Sequence, residues 1–324
     1  MITIHNTHTG KIFVDTDRQL EYLTVGDYGK ENNIKADFLG LTNEIHGVQH
    51  HDVDLHDKWV ATISTQKGCP MKCQFCDCPT YGFHGNASIE DLQFEIEHML
   101  SYFVDNYNIK STNRFNVHFA RMGEPTFNTN VLSFTQDHLK PLVQKYIQAK
   151  TIHPVVSTML PKHNSSLKSF LTIWTNDIKN KFYQGEAGLQ FSINSTDNKQ
   201  RAEQFNDMSL SLKDISDLSK LLPKPVGRKY TLNFAVTKDT IIDPTILDQL
   251  FNKDHFIVKI TPIHQTHNAV KNNYDISTTY TDYDVYKQFE QPLLEHGWQV
   301  IVFVPSLEED QDRITCGNAL ISYK

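Results

Sequence analysis

Six short runs of β-branched and aromatic residues alternate with longer amphipathic stretches from residue 59 onward. This alternation is typical of βα units, in which parallel strands lie side by side under a layer of helices. Six units fit a partial (β/α)6 barrel, open on one side, better than a complete eight-unit barrel. The run WQVIVFV (298–304) is a candidate seventh strand at the edge. The six predicted strands are WVATIST (59–65), FNVHFA (115–120), IHPVVST (152–158), LQFSIN (189–194), YTLNFAV (230–236) and FIVKITP (256–262).

The stretches between these runs are predicted to be helices. Ser88 and Asp91 have the spacing of a capping box, and Leu92, Ile96 and Met99 then fall on one helical face. Further helices are predicted over 131–149, 167–178, 210–222, 244–251 and 283–296, the last ended by Gly297.

We expect three parts along the chain. Residues 1–58 form an accessory segment with strands in KIFVDT and EYLTV, residues 59–304 form the barrel, and residues 305–324 form a carboxyl-terminal segment that closes the active site. The accessory segment has five basic and ten acidic side chains, which does not favour an RNA-gripping domain there. Its His-rich HGVQHHDVDLH (46–56) is interpreted as a surface linker rather than a metal site.

Composition places the chain among globular enzymes. Its 324 residues are 39% hydrophobic, enough for a sizeable core, and the net charge of −7 does not favour broad phosphate neutralisation. No apolar run approaches the roughly 20 residues of a membrane span, and the first residues do not resemble a secretion signal. We expect a cytoplasmic monomer without membrane attachment.

Four of the five cysteines lie within KGCPMKCQFCDCP (67–79). Neighbouring thiols in one loop make poor disulfide staples, so metal ligation or redox chemistry is favoured. Cys69, Cys73 and Cys76 have the spacing C-x3-C-x2-C, and three thiolates can hold three corners of a [4Fe–4S] cluster, leaving one iron open. The alternative is a zinc ion with Cys78 or His84 as the fourth ligand. The spacing favours the cluster, and the zinc site stays open as the alternative.

The loop C-x3-C-x-aromatic-C, with Phe75 as the aromatic residue, resembles that of the radical S-adenosylmethionine (radical SAM) superfamily. The resemblance implies that the open iron binds SAM, and that one electron from a flavodoxin-type donor cleaves SAM to a 5′-deoxyadenosyl radical. It also implies that Phe75 packs beside the cofactor.

Further motifs narrow the resemblance to the RlmN/Cfr-like lineage, whose members methylate C2 or C8 of an RNA adenine. They occur in the lineage's order from about residue 59 to residue 320. The motifs are RMGEPTFN for G-M-G-E-P-x-x-N, VVSTMLP for S-T-x-G-x-x-P, LQFSIN for S-L-H-A, KITPIH for L-I-P-x-N and ITCG for A-C-G.

The resemblance assigns cofactor contacts to the ends of the strands. Glu124 would bind the SAM amine, as an anionic acceptor suits an ammonium group, and Gly123 would let the backbone approach. The remaining predicted SAM contacts are Ser157, Ser192, Asn194 and His264, the last standing where the lineage has Asn. For the two serines, capping of a strand end is an equally good interpretation.

Cys316 matches the cysteine that, in the lineage, is methylated by one SAM and then adds its methylene to the base. A buried structural thiol is the alternative interpretation. The lineage resolves the resulting protein–substrate bond with a second cysteine, at the position held here by Thr62, and a hydroxyl group cannot form that disulfide. Cys78 is the remaining thiol that could substitute.

Two enzymatic hypotheses follow. The first is methylation of an sp2 carbon of a nucleobase, in RNA or a nucleotide, through methylated Cys316. The second is a related radical SAM enzyme with another target, such as a free nucleotide, a modified DNA base or a peptide, with or without methyl transfer. The third hypothesis is a non-enzymatic zinc module.

Overall fold

The computed structural model describes residues 1–7, 9–26, 44–45, 48–49, 55–276, 279–280 and 282–323. Within these residues, ten strands form one large sheet, and two short hairpins lie outside it. The strands of the large sheet are β1 (Ile2–Asn6), β2 (Gly10–Asp15), β3 (Leu20–Gly26), β6 (Lys58–Ile63), β9 (Ser111–Phe119), β10 (Gln148–Thr158), β11 (Gly188–Ser192), β12 (Tyr230–Val236), β13 (Phe256–Pro262) and β14 (Val300–Val302). The hairpins pair β4 (Glu44–Ile45) with β5 (Val48–Gln49) and β7 (Gln66–Gly68) with β8 (Phe83–Asn86).

From β6 to β14 the seven strands of the large sheet are parallel and follow chain order, so each βα unit adds the next strand. This confirms the predicted α/β fold with a parallel sheet, including the seventh strand. Two of the predicted strands, β12 and β13, have the bounds expected from the sequence. Among the described residues β1 and β14 are the two ends of the sheet, which is the arrangement expected of an open barrel.

The helices are α1 (Ile89–Tyr107), α2 (Asn130–Ser133), α3 (Leu139–Tyr146), α4 (Leu167–Ile173), α5 (Asn198–Gln204), α6 (Leu212–Ser219), α7 (Pro244–Leu250), α8 (His267–Lys271), α9 (Asp284–Glu295) and α10 (Leu307–Gln311). The capping box of α1 forms as predicted: Asp91 N–H donates to Ser88 Oγ at 3.0 Å, and Ser88 N–H donates to Asp91 at 3.1 Å.

One predicted helix is too long. The stretch 131–149 contains α2, a π-helical turn at Phe134–His138 and α3, but the helix ends at Tyr146. The Gln148 amide then donates to the Lys110 carbonyl at 2.8 Å, which starts the pairing of β10 with β9. Sheet pairing therefore overrides the helical pattern of the last residues.

The amino-terminal strands continue the large sheet. β1, β2 and β3 are antiparallel, and β3 pairs antiparallel with β6, the first barrel strand. The strands expected in KIFVDT and EYLTV are therefore present. The division into parts at residues 58 and 304 stays a prediction, and most of the His-rich run (46–56) lies outside the described residues.

A large hydrophobic core fills the space between the sheet and its helices, and its largest fully buried members include Trp59, Trp174 and Tyr230. None of the helices in the described part of the chain is long and apolar enough to cross a membrane.

Candidate active site

A cavity opens at the carboxyl-terminal ends of the parallel strands, where α/β folds place their ligands. Its empty space, counted out to its open mouth and including the solvent there, is about 960 Å³. All twelve residues predicted for the site line this cavity: Cys69, Cys73, Phe75, Cys76, Cys78, Gly123, Glu124, Ser157, Ser192, Asn194, His264 and Cys316. Residues up to 247 positions apart in sequence are thus brought to one place.

The cysteine loop begins at a tight contact between β7 and β8. Gly68 has a φ of +78°, and a Cβ there would lie 1.6 Å from the Gly82 carbonyl oxygen. The Cys69 amide donates to that same carbonyl at 3.0 Å. Only glycine allows this approach, so Gly68 fixes the direction in which the chain enters the loop.

Residues outside the loop hold the rest of it through hydrogen bonds to its backbone groups. Thr266 Oγ1 donates to the Phe75 carbonyl at 2.8 Å, and Asn268 Nδ2 donates to the Cys76 carbonyl at 2.7 Å. The Gln74 amide donates to the Gln204 carbonyl at 2.9 Å. These bonds come from the chain after β13 and from α5, which leaves the thiols free to line the cavity.

The environment opposes the ionisation of two of the three spaced thiols and favours that of the third. Burial, and then the negative charge of the neighbouring thiolates, raises the pKa of Cys69 and Cys73. A hydrogen bond from the Cys78 side chain lowers the pKa of Cys76 and raises that of Cys78. Thiolates are the form that ligates metals, and a bound cationic group would offset the repulsion between their negative charges.

This donor set fits a cluster better than a single ion. Within the described ranges, no three His, Cys, Asp or Glu side chains are placed to hold one metal ion together. A [4Fe–4S] cluster takes each thiolate on a separate iron, so it accommodates thiols that do not converge on one point. His84, a possible fourth zinc ligand, is exposed, and its Nε2 lies 3.1 Å from the Tyr81 carbonyl oxygen.

Glu124 is buried at the start of the loop after β9, where burial raises its pKa. Thr126 donates to its Oε1 through both the amide (3.1 Å) and the hydroxyl group (2.7 Å), and the Met159 amide donates to Oε2 at 3.0 Å. The geometry of the Glu124 carboxylate is therefore fixed by the protein.

Gly123 has a φ of +100°, and a Cβ there would lie 2.7 Å from Gln66 Cβ. Glycine is needed at this position for packing, in addition to any approach to a cofactor.

Asn194 has an unused donor in the cavity. Its side chain is 1% exposed, Oδ1 accepts a bond from the Ala235 amide at 3.2 Å, and buried Nδ2 has no partner among the described residues. Since buried donors are rarely left unpaired, this nitrogen is a donor that a ligand with an acceptor group can use. Ser157 and Ser192, at the ends of β10 and β11, line the same wall.

His264 lies after β13, where burial lowers its pKa and favours the neutral imidazole. Its Nδ1 is 2.7 Å from the Tyr280 hydroxyl group and 3.7 Å from Asp310 Oδ1. Asp310 belongs to α10 and also accepts a bond from Thr315 Oγ1 at 2.6 Å. His264 is thereby linked to the residue that precedes Cys316.

Cys316 is exposed to the cavity and lies beside the cysteine loop. The Asp77 amide donates to the Gly317 carbonyl at 2.7 Å, and Gly317 has a φ of +89°. This bond joins the chain between Cys76 and Cys78 to the residue after Cys316. Cys78 is buried and also lines the cavity, whereas Thr62 lies within β6, paired with Leu23 and His118.

Several cavity residues were not identified from the sequence. Arg121 lies within the RMGEPTFN motif but was not singled out, and Asn233 is a polar residue on the alternate face of β12, which was an available but weak signal. Met159, Phe205 and Thr261 also line the cavity, with no sequence pattern that distinguishes them from core residues.

Comparisons with known proteins agree with the motifs. No family model matches the chain. It is 25% identical over 215 residues to the probable dual-specificity RNA methyltransferase RlmN of Petrotoga mobilis, covering 64% of this chain and 54% of that protein. It is also 25% identical over 222 residues to the ribosomal RNA large subunit methyltransferase N of Nitrosopumilus maritimus, covering 65% and 56%. The chain thus spans about half the length of these curated relatives.

A solved structure shares the fold. The crystal structure of a radical SAM methyltransferase from Sphaerobacter thermophilus has a TM-score of 0.62 to this chain, at 14% identity, and the match covers 99% of this chain and 81% of that one. The chain is related to the RlmN/Cfr-like radical SAM lineage. The recognition made from the motifs is therefore confirmed.

Proposed function

We propose that this RlmN/Cfr-like protein is a radical SAM enzyme that methylates an sp2 carbon of a nucleobase through methylated Cys316. The observation that supports this most is the convergence of the three spaced cysteines, the strand-end polar groups and Cys316 on one cavity. Cys69, Cys73 and Cys76 would hold a [4Fe–4S] cluster, and SAM would bind in the same cavity. Cluster and SAM together supply a 5′-deoxyadenosyl radical when bound.

The protein groups would bind and orient SAM. Glu124, fixed by Thr126 and Met159, would accept a hydrogen bond from the SAM ammonium group, which would also keep the buried carboxylate charged. Asn194 Nδ2 would donate to an acceptor of SAM, a carboxylate or hydroxyl oxygen. Ser157, Ser192 and His264 would complete the polar wall, with Phe75 packed beside it.

We assign Cys78 the role of resolving thiol in this scheme. It lines the cavity that Cys316 lines, and the bond between Asp77 and Gly317 holds the two chain segments together. Attack of the Cys78 thiolate on the Cys316 sulfur would form an S–S bond and break the S–C bond to the substrate. The electron pair stays on the substrate carbon, which takes up a proton, and an external dithiol then reduces the disulfide.

A nucleobase in RNA is the proposed substrate because both curated relatives are named as RNA methyltransferases. The alternative is a different target, such as a free nucleotide, a modified DNA base or a peptide. It is supported by residues 1–58, whose side chains include five basic and ten acidic groups and which form strands where described. This charge does not favour a phosphate-binding surface there.

Anaerobic reconstitution with iron and sulfide, followed by SAM, a one-electron reductant and RNA, tests the proposal. We expect 5′-deoxyadenosine together with a methylated adenine in the nuclease digest. Cys316→Ala should still form 5′-deoxyadenosine but no methylated base, and Cys73→Ala should form neither. Formation of 5′-deoxyadenosine without RNA, and with no methylated base when RNA is present, would favour the alternative target. A protein that retains only zinc would contradict both.

A further inference from the structure

A buried ion pair connects the amino-terminal strands to the active site. Glu21 lies in β3 and Arg121 follows β9, 100 residues later, and both side chains are at most 2% exposed. Arg121 Nε donates to Glu21 Oε1 at 2.8 Å, and a second, shorter bond comes from Nη2. Arg121 occupies the position where the RlmN/Cfr-like motif has Gly, so this pair depends on a residue that departs from that motif.

The same pair contacts the chain on both sides of Cys316. Arg121 Nη2 donates to the Arg313 carbonyl at 3.1 Å, and Nη1 lies 3.5 Å from the Thr315 carbonyl. The Glu21 carboxylate accepts bonds from the Leu320 amide at 3.2 Å and from the Ile321 amide at 2.7 Å. The segment 313–321, with Cys316 inside it, is therefore held at both ends by one buried ion pair.

Apolar packing continues this contact over one face of the amino-terminal strands. Ile12, Val14 and Leu23 form a buried cluster with Ile314, Ala319 and Ile321 of the carboxyl-terminal segment. At the edge, Thr9 donates to Asp312 Oδ2 through its amide (2.9 Å) and its hydroxyl group (2.7 Å). The strands β2 and β3 thus serve as a platform for the segment that carries Cys316.

We propose that Glu21 and Arg121 are positioning residues for Cys316, and that the amino-terminal strands are in this sense part of the active site. The role of Cys316 as methyl carrier rests on the proposed function, whereas the positioning itself does not. Carrier thiols need close placement, since a displacement of about 1 Å can reduce transfer on the order of a hundredfold. Buried charged hydrogen bonds at both ends of a short segment supply such placement.

The test compares Glu21→Gln with Thr24→Val in the reconstituted protein. Glu21 does not line the cavity, and Gln keeps its shape while removing its charge. Thr24 lies in the same strand and accepts a buried bond from Trp59 Nε1, but that bond does not touch the carboxyl-terminal segment. Both variants lose a buried polar contact of β3, so the difference between them measures the effect of the contact between Glu21 and the segment 313–321. Thr9→Val is a milder second variant that loosens the segment without leaving a buried charge.

Two readouts are measured: amide hydrogen exchange of peptide 313–323, and methylated Cys316 formed per 5′-deoxyadenosine. Glu21→Gln should accelerate exchange in this peptide about tenfold, with α1 unchanged. It should also lower the methylation ratio about tenfold or more, while 5′-deoxyadenosine still forms. Thr9→Val should shift both readouts in the same direction by less, and Thr24→Val should shift neither.

Equal exchange of peptide 313–323 in Glu21→Gln and Thr24→Val would overturn the positioning role, whatever the enzyme's activity. Unmethylated Cys316 in the unsubstituted protein would instead refute the proposed function, and the exchange comparison would still decide whether Glu21 positions the segment. Two results together would also count against the proposal: a uniform loss of exchange protection in Glu21→Gln, including α1, and unchanged exchange in Thr9→Val. They would indicate that Glu21 stabilises the whole protein and does not position the segment 313–321 in particular.

Discussion

Cys316 faces the cavity and yet is poorly ionised, since burial by the surrounding protein, and then the charge of Cys76, raises its pKa to about 11. The thiolate is the nucleophile in alkylation, so a raised pKa slows the reaction at neutral pH. Accessibility and reactivity are therefore separate properties at this residue.

We predict that alkylation of Cys316 by iodoacetamide at pH 7 is slower than that of a free cysteine by on the order of a hundredfold. The rate should still be rising at pH 10, as followed by mass spectrometry of the Cys316 peptide. The same protein in denaturant provides the control. If the pH at which the alkylation rate is half-maximal were the same in the folded and the denatured protein, the environment described for this thiol would be contradicted.

Gly68 offers a second test at single-residue scale. Gly68→Ala would place a Cβ 1.6 Å from the Gly82 carbonyl oxygen, so we expect a loss of stability of about 2 to 4 kcal/mol and reduced iron incorporation. Gly85→Ala is the matched control: Gly85 lies in the same hairpin with a φ of +126°, but nothing lies within 4 Å of the added Cβ. Equal effects of the two substitutions in urea unfolding would show that the collision is unimportant.

At the scale of elements, the strands were more predictable than the helices. Strands β12 and β13 have alternating or continuous apolar runs bounded by turn residues, and their bounds match the prediction. The helix predicted over 131–149 ended early because its last residues join β10, a pairing that periodicity does not encode. Helix α10 was not predicted, since its acidic sequence lacks an apolar face.

Helix α1 carries an unusual buried acid that gives a pH-dependent prediction. Glu95 is fully buried; its Oε1 accepts a bond from the Ser64 amide at 3.0 Å, and Oε2 has no partner in the described part of the chain. Burial, then Asp91 and Asp15, raises its pKa well above the ordinary value. The folded protein then holds a proton that the unfolded chain releases, so stability falls as the pH rises from the unfolded pKa towards the folded pKa.

Glu95→Gln imitates the protonated acid at every pH. We expect its free energy of unfolding to equal that of the unsubstituted protein near pH 4 and to exceed it increasingly above, by up to about 1.4 kcal/mol per pH unit. Urea denaturation at several pH values measures this. Glu97→Gln, in the same helix, should show no such gain, because Tyr146 and Lys145 lower the pKa of partly exposed Glu97. A pH-independent difference would contradict the assignment.

At the scale of the whole molecule, local spacing predicted the cysteine loop and family motifs predicted the strand-end residues, all of which line one cavity. The link between the two ends of the chain was not predictable. Glu21 and Arg121 are 100 residues apart, and neither has a neighbour in sequence that indicates its partner. The two side chains meet because β3 pairs with β6 and β6 pairs with β9, which Arg121 follows.

This arrangement gives the amino-terminal strands a role that their charge did not suggest. They extend the barrel sheet and support the segment that carries Cys316, which agrees with an enzyme whose methyl carrier must lie close to the cysteine loop.

The central claim is that Cys316 carries a methyl group from SAM. Its most direct test is mass spectrometry of the Cys316 peptide after the reconstituted protein is incubated with SAM and a reductant, using Cys73→Ala as the control without an intact cluster. We predict a mass increase of one methyl group on Cys316, confined to the protein with an intact cluster. A Cys316 peptide that stays unmodified while 5′-deoxyadenosine accumulates would contradict it.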